Sequence, residues 1–408
     1  MIVPASARAS IPAITTIGLI RLLVGLHLVA LFVLPKTSFG LVGLRPEDFT
    51  GVALIGLVIV LGLSGPLAVP RVAVWTMGVI YLAYFWVIFL VRDAAAGHLE
   101  AGVLWAKEAS YFVFGYLVWR GYRTAPRQFL RVAMVVILPT IAFGLYQLLT
   151  TARGIYGVSP LGHEESPASS GMIYFACSNL VFLSGLRGRH AVAIRFLFLS
   201  TLVLLVSTGS KVAVLGAISF YGSYLLQEAW QRRSAGMLTK LVAYGALAVA
   251  LLMGAVAMAR LGWAPRALTR YTGFTSPLVV LTDRGIWWKV QWIEGPVDKI
   301  IGAGYSVSHL SNGAFSYGMA MDNQILYYLV TGGAVGLLMY GLLCLAVFVA
   351  LPARSEGGLL LRALVVSYVF MGLGGEVLQL SIFGNVFWMV VGLCLCRQSL
   401  GNTVRGSC

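Results

Sequence analysis

Charge is what this chain has least of. Of its 408 residues, 11% are Asp, Glu, Lys or Arg and only 14 are acidic, against 59% that are hydrophobic. So few polar side chains cannot clothe a water-exposed surface, which excludes a soluble globular protein. Cysteine is scarce as well. Cys177, Cys344, Cys394, Cys396 and Cys408 lie within or beside apolar runs without CxxC or zinc-like spacing, so they read as free thiols. The five histidines are widely separated. No Walker, dinucleotide-binding or zinc-protease pattern occurs, which argues against ATP-driven transport and metalloprotease chemistry. No cofactor and no metal are expected. No repeat stands out, and the first apolar segment contains Arg21 and His27 and lacks a small-residue cleavage pattern, so it is expected to stay as a span.

What is present is a succession of apolar runs of about 20 residues, each long enough to cross a hydrocarbon core as a helix. The expected fold is all-α: a polytopic transmembrane helical bundle of about twelve spans, with one long outer loop containing short helices. The spans are placed at 14–34, 51–69, 72–91, 99–119, 129–150, 169–186, 191–207, 211–227, 238–260, 323–350, 359–377 and 381–397. The chain then divides into nine helices over 1–260, a loop over 261–321 and three helices over 322–408.

Orientation follows from the basic residues, which are retained on the cytoplasmic side. With both termini inside, the inner loops hold a long series of arginines, including Arg120, Arg123, Arg127, Arg131, Arg232, Arg233, Arg354 and Arg362, opposed only by Glu228 and Glu356. Most acidic residues, among them Glu47, Asp48, Glu164 and Glu165, then lie outside. This accounts for the net charge of +15 without a nucleic-acid partner, and adds attraction to anionic membrane lipid.

The loops are otherwise short, so chemistry on the outer side must come from helix ends and from 261–321. That loop opens with WAPRALTRYTGF, where Arg266 and Arg270 can meet phosphates, and continues with TDRGIWWKVQWIEGP. There Trp288 and Trp292 share a helical face with Arg284 one turn earlier, and the plain alternative is an aromatic anchor at the bilayer surface. KIIGAGYSVSHL follows; its Gly-x-Gly marks a tight turn as readily as an anion cradle.

Three sets carry candidate chemistry. STGSK at 207–211 introduces a helix at Lys211, either an anion site or an ordinary capped turn. Arg284 and Lys289, with Arg266 and Arg270, suit a diphosphate, arginine through its two-pronged fork. Asp322 and Asn323 open a span in MDNQILYYLVTGGAVGLL, where the aspartate can act as a base or simply cap the helix. Lys107, Glu108, Arg21 and Glu376 fall inside apolar segments and must face protein or a wet cavity, with a proton relay as the second reading.

Over residues 160–350 the chain resembles the O-antigen polymerase and ligase superfamily of bacterial membrane glycosyltransferases. The likeness rests on STGSKVAVLGA, TDRGIWWKVQWIEGPVDKIIGAGYS and DNQILYYLVTGGAVGLLMY, similar in order and spacing to the family's Ser-Arg helix start, its Arg-Trp-Gly-x-Gly run and its His-Asn-x-x-Leu segment. Lys211 stands where the family usually has arginine, and Asp322 where many members have histidine. The resemblance implies an inner-membrane enzyme that transfers glycans from an undecaprenyl-diphosphate-linked donor at the periplasmic face, by inversion and without metal or nucleotide. It implies that Arg284, Lys211, Arg266 and Arg270 hold the diphosphate, that Asp322 is the base with His309 in reserve, and that Asn323, Trp288 and Tyr305 meet the sugar. Polymerisation of repeat units is preferred over ligation to lipid A core, with a chain-length regulator as a possible partner. A flippase for lipid-linked oligosaccharide is the competing class.

Overall fold

The computed structural model describes residues 15–34, 45–63, 73–150, 167–185, 191–232, 295–306, 324–373 and 381–405, and singly 236, 239, 253, 254 and 257. The expected span 238–260 lies outside the described residues apart from four of those single positions, and the loop over 261–294 lies outside them entirely.

The described residues are helical, with no strand among them. In chain order the helices are α1 (Thr16–Phe32), α2 (Pro46–Leu63), α3 (Ala73–Ile88, prolonged by a π-helix Phe89–Ala94), α4 (Ala101–Tyr122), α5 (Pro126–Thr150), α6 (Pro167–Leu183), α7 (Ala191–Ser207), α8 (Lys211–Arg232), α9 (Pro296–Ile301), α10 (Gln324–Val349), α11 (Glu356–Gly372) and α12 (Ser381–Arg405). Local chemistry sets several starts. The Thr15 and Ser355 hydroxyls accept from the Gly18 and Gly358 amides at 3.2 and 3.0 Å. Proline stands first in α2, α5, α6 and α9, where its missing N–H costs no helical bond.

The outward faces are as apolar as the interior. Leu22, Val52, Ile59, Val60, Val79, Val135, Phe196, Leu199 and Leu345 are all more than half exposed. A surface of that kind is stable against lipid and not against water. By length and composition α2, α3 with its π-helix, α5 and α10, the last counted end to end across its reversal at Gly333, are long and apolar enough to cross a bilayer, and Thr16–Phe32, Ser170–Leu183, Val192–Ser207 and Ile382–Cys396 are shorter apolar helices. The protein is a helical membrane protein. Twelve spans were expected; by length and apolarity four helices qualify among the described residues. α4 has 22 residues but carries Lys107 and Glu108 in its second turn.

Close backbone approaches organise the packing. α4 crosses α12 where Gly115 meets the Trp388 backbone and Gly392 meets the Gly115 carbonyl, with no room for a Cβ at either glycine. α8 lies on α11, with Gly216 under Met371 and its carbonyl accepting from the Ser367 hydroxyl at 2.8 Å. Small residues allow this where burial of apolar surface gives no drive between helices. Gly392→Val is therefore expected to lower the thermal midpoint of the detergent-solubilised protein by about 2 °C or more, from the roughly 2 kcal/mol or more of an overpacked contact. Gly56→Val, whose Cβ meets open space, should leave the midpoint within about 1 °C.

The span expected over 323–350 is two arms. Gly333 has φ 65° and ψ −163°, and the chain reverses there. Tyr328 and Tyr340 stack with centroids 4.5 Å apart, whereas twelve residues of unbroken helix would separate them by about 18 Å. Residues 324–332 thus form a re-entrant arm of about 13 Å, folded against the second arm, 334–349. A length of about 24 Å for that second arm leaves it the only part of α10 able to approach a full crossing.

Candidate functional site

One end of the bundle gathers the start of α2, the end of α3, the start of α4, all of α9 and the turn of α10. The π-helix at the end of α3, with the Ala95 amide reaching back to the Leu90 carbonyl at 3.3 Å, widens the turn that carries Arg92 and Asp93. Arg92 pairs with Asp298 of α9 at 2.7 Å. Asp93 is fully buried, and its two oxygens accept the amides of Tyr305 and Ser306 at 2.9 and 2.8 Å. Those bonds fix the chain directly after α9.

Between them sits the Gly-x-Gly turn. Gly302 and Gly304 have φ of 89° and 99°, which favours glycine. The Ala303 and Gly304 amides donate to the Val330 and Thr331 carbonyls at 2.8 and 3.2 Å, and the Tyr84 hydroxyl lies 3.2 Å from the Ile301 carbonyl and 2.6 Å from that of Gly332. The Gly302 amide is spent on the Asp298 carbonyl at 2.8 Å. Of the two readings of Gly-x-Gly, this is the tight turn: the amides that would cradle an anion are committed to backbone carbonyls. The turn locks α9 onto the Thr331-Gly332-Gly333 corner of α10.

Below that lock is a buried carboxylate. Glu108 is 6% exposed, and the hydroxyls of Tyr81, Tyr327 and Tyr305 approach it at 3.1, 3.3 and 3.4 Å. Tyr81 also lies 2.8 Å from the Tyr328 hydroxyl. An ionised carboxylate only accepts, so hydroxyl hydrogens from α3, α10 and the loop end converge on it and offset the cost of placing it among apolar side chains. Burial, and then the Glu108 charge, push the Tyr305 hydroxyl well above the usual phenol range, which keeps it a proton donor. A cavity lined by Tyr81, Glu108, Tyr111, Phe112 and Trp388 has room for about one water molecule. On the adjoining face of α4, Lys107 pairs with Asp48 at 3.0 Å. Arg21, another charge in an apolar run, donates to the Gly121 carbonyl at 2.9 Å with its guanidinium over the Tyr122 ring, and Glu376 lies outside the described residues.

Among the residues expected to carry chemistry, Lys211 and Tyr305 are described; Arg284, Arg266, Arg270, Asp322, Asn323, Trp288 and His309 lie outside the described residues. Lys211 is exposed at the first turn of α8. The preceding hairpin is a capped turn: the Ser210 hydroxyl accepts the Ala213 amide at 3.3 Å, and that of Thr208 accepts the Ser210 amide at 3.2 Å. Five residues after Lys211, Gly216 touches Met371, and the adjoining Gly372 lies against Gln324, two residues beyond Asp322. Tyr305 was expected against a sugar ring. It is fully buried, its ring beside Phe85 and Tyr327. Asp93 and, of the tyrosines around Glu108, Tyr81, Tyr327 and Tyr328 were not among the residues expected to carry chemistry. The signal was there as YLAYF in α3 and YY in α10, tyrosines in otherwise aliphatic runs whose hydroxyls need an acceptor.

No family model matches the chain, and no curated protein matches it.

Proposed function

We propose that the protein is an inner-membrane glycosyltransferase that polymerises undecaprenyl-diphosphate-linked oligosaccharide repeat units at the periplasmic face, by inversion and without a metal. The observation that carries this reading is the docking of two of the segments on which the resemblance rests. KIIGAGYS and ILYYLVTGG, separated in sequence, fold onto each other through the Gly302–Gly304 turn and the α10 corner. The third, STGSK, starts the helix that meets α11 close to Gln324. That neighbourhood supports a site to which Lys211 and Arg284 bring positive charge for the diphosphate and Asp322 a base.

In the proposed reaction Asp322 takes the proton of the acceptor hydroxyl as that oxygen attacks the anomeric carbon. The bond from that carbon to the diphosphate oxygen breaks, and Arg284 and Lys211 stabilise the charge that develops on the leaving group. Lipid-linked single repeats given to the purified protein should yield a ladder of longer lipid-linked chains. Arg284→Ala and Asp322→Ala should each lower that yield at least a hundredfold, in proportion to a lost charge-stabilising contact or base. Transfer to lipid A core alone would identify a ligase instead. Movement of lipid-linked glycan across vesicles without any new glycosidic bond would identify a flippase.

A further inference from the structure

We propose that Glu108 is a positioning residue for this reaction, an inference that rests on the glycosyltransferase reading. Its carboxylate joins the loop end to the re-entrant arm of α10. Tyr305 reaches one oxygen, Oε2, at 3.4 Å, and Tyr327 reaches the other, Oε1, at 3.3 Å. Both tyrosines are fully buried, so neither bond competes with bulk solvent. Tyr305 is also held by its backbone amide on Asp93 at 2.9 Å, which leaves the residue fixed at both its hydroxyl and its main chain.

Ser306 and Gln324, the described residues on either side of the stretch that bears Asp322, each lie close to one of these anchors: Ser306 follows Tyr305 directly, and Gln324 precedes Tyr327 by three residues. Glu108 thus adds a side-chain tie beside the Ala303 and Gly304 backbone bonds to Val330 and Thr331, which join the same two segments. Glu108 acts through the two tyrosines; the cavity it lines with Tyr81, Tyr111, Phe112 and Trp388 has room for about one water molecule. A buried charge is not required to hold helices together, since apolar residues of similar volume commonly do so equally well. What a carboxylate adds is two oxygens that can hold two donors in fixed relation.

The test uses the full chain in detergent or nanodiscs, with variants Glu108→Gln and Tyr305→Phe, the pair combined, and Glu108→Asp. Two quantities are read: amide hydrogen exchange at residues 302–306, and kcat and KM with a lipid-diphosphate-linked oligosaccharide. Each single change should speed exchange at Tyr305 and Ser306 and lower kcat about tenfold, the size expected of a lost charge-assisted hydrogen bond, with KM within about twofold. The combined variant should be no worse than the weaker single, because both remove one interaction. Glu108→Asp, which keeps the charge, should recover part of kcat.

Unchanged exchange in folded Glu108→Gln and Tyr305→Phe overturns the proposal, as do losses in kcat that multiply in the combined variant. Should Glu108→Gln fail to fold, Tyr305→Phe decides alone, since it deletes one hydroxyl and leaves the carboxylate in place. Absence of transfer by the unaltered chain overturns the glycosyltransferase reading itself; exchange at Tyr305 and Ser306 then shows separately whether Glu108 governs the loop end.

Discussion

Replacing Gly302 or Gly333 with valine is expected to leave almost no folded protein. The two glycines face each other where α9 meets the corner of α10. A Cβ on Gly302 would fall onto the Thr331 carbonyl and lie 2.5 Å from the Gly332 Cα, and one on Gly333 would fall onto the Ile300 carbonyl and lie 2.5 Å from the Gly302 amide nitrogen. Every obstacle is backbone, so no rotamer change relieves it. Both positions also hold positive φ, at 89° and 65°, which costs a β-branched residue roughly 1–3 kcal/mol before any clash. Separating the two backbones far enough for a methyl group would break the Ala303 and Gly304 bonds to Val330 and Thr331 as well. The sum is on the order of 5 kcal/mol, comparable to the whole stability of many domains. Yield after detergent extraction and the position of the main peak in size-exclusion chromatography, relative to the unaltered protein, measure it; a monodisperse Gly302→Val protein at normal yield would refute the account. Gly341→Val, on the second arm of α10 with open space around it, is the matched control.

Membrane class and helical architecture were legible in the sequence because both follow from composition. Apolar runs persist on every face of a lipid-exposed helix, and capping residues such as Ser210 and Ser355 show through as hydroxyls ahead of an apolar stretch. The reversal at Gly333 was not legible. A hydropathy window adds side chains without regard to chain direction, and Thr-Gly-Gly between LYYLV and AVGLLMY reads the same in a straight span as in a hairpin. What marks the reversal is a contact between Tyr328 and Tyr340, which no local pattern encodes. The Gly-x-Gly motif had two meanings in sequence, and only the carbonyls that its amides meet choose between them. Glu108 was recognisable as a charge needing company, but its companions come from α3, α10 and the loop end, elements brought together by packing alone. Tyrosine hides such a network in a hydropathy scan, since its ring satisfies an apolar segment while its hydroxyl waits for a distant acceptor.

Lys107 should behave differently from its neighbour, and the contrast tests whether the two charges of α4 have separate duties. Successive helical residues point about 100° apart, so Lys107 turns to α2 while Glu108 turns to α3 and α10. The Lys107 ammonium lies 3.0 Å from Asp48 Oδ2, with the two side chains 16% and 5% exposed. Asp48 Oδ2 also accepts the Arg45 amide at 2.8 Å, closing the first turn of α2. Lys107→Met removes the cation and leaves a carboxylate with little access to water, a loss of about 3 kcal/mol where an ion pair is broken from one side. Asp48→Asn in the same chain removes the stranded charge, and its carbonyl oxygen can still accept from Arg45. The double variant should therefore return to within about 1 kcal/mol of the original protein, as expected when both members of a buried pair are neutralised. Thermal unfolding in detergent across the four proteins of the cycle reads both numbers. A neutral Lys107→Met, or a double variant less stable than Lys107→Met alone, would show that the pair does not hold α2 to α4. The same proteins, assayed for glycan transfer per folded molecule, should retain kcat, because this pair fixes a helix start on a different face of α4 from the carboxylate that ties the loop end to α10.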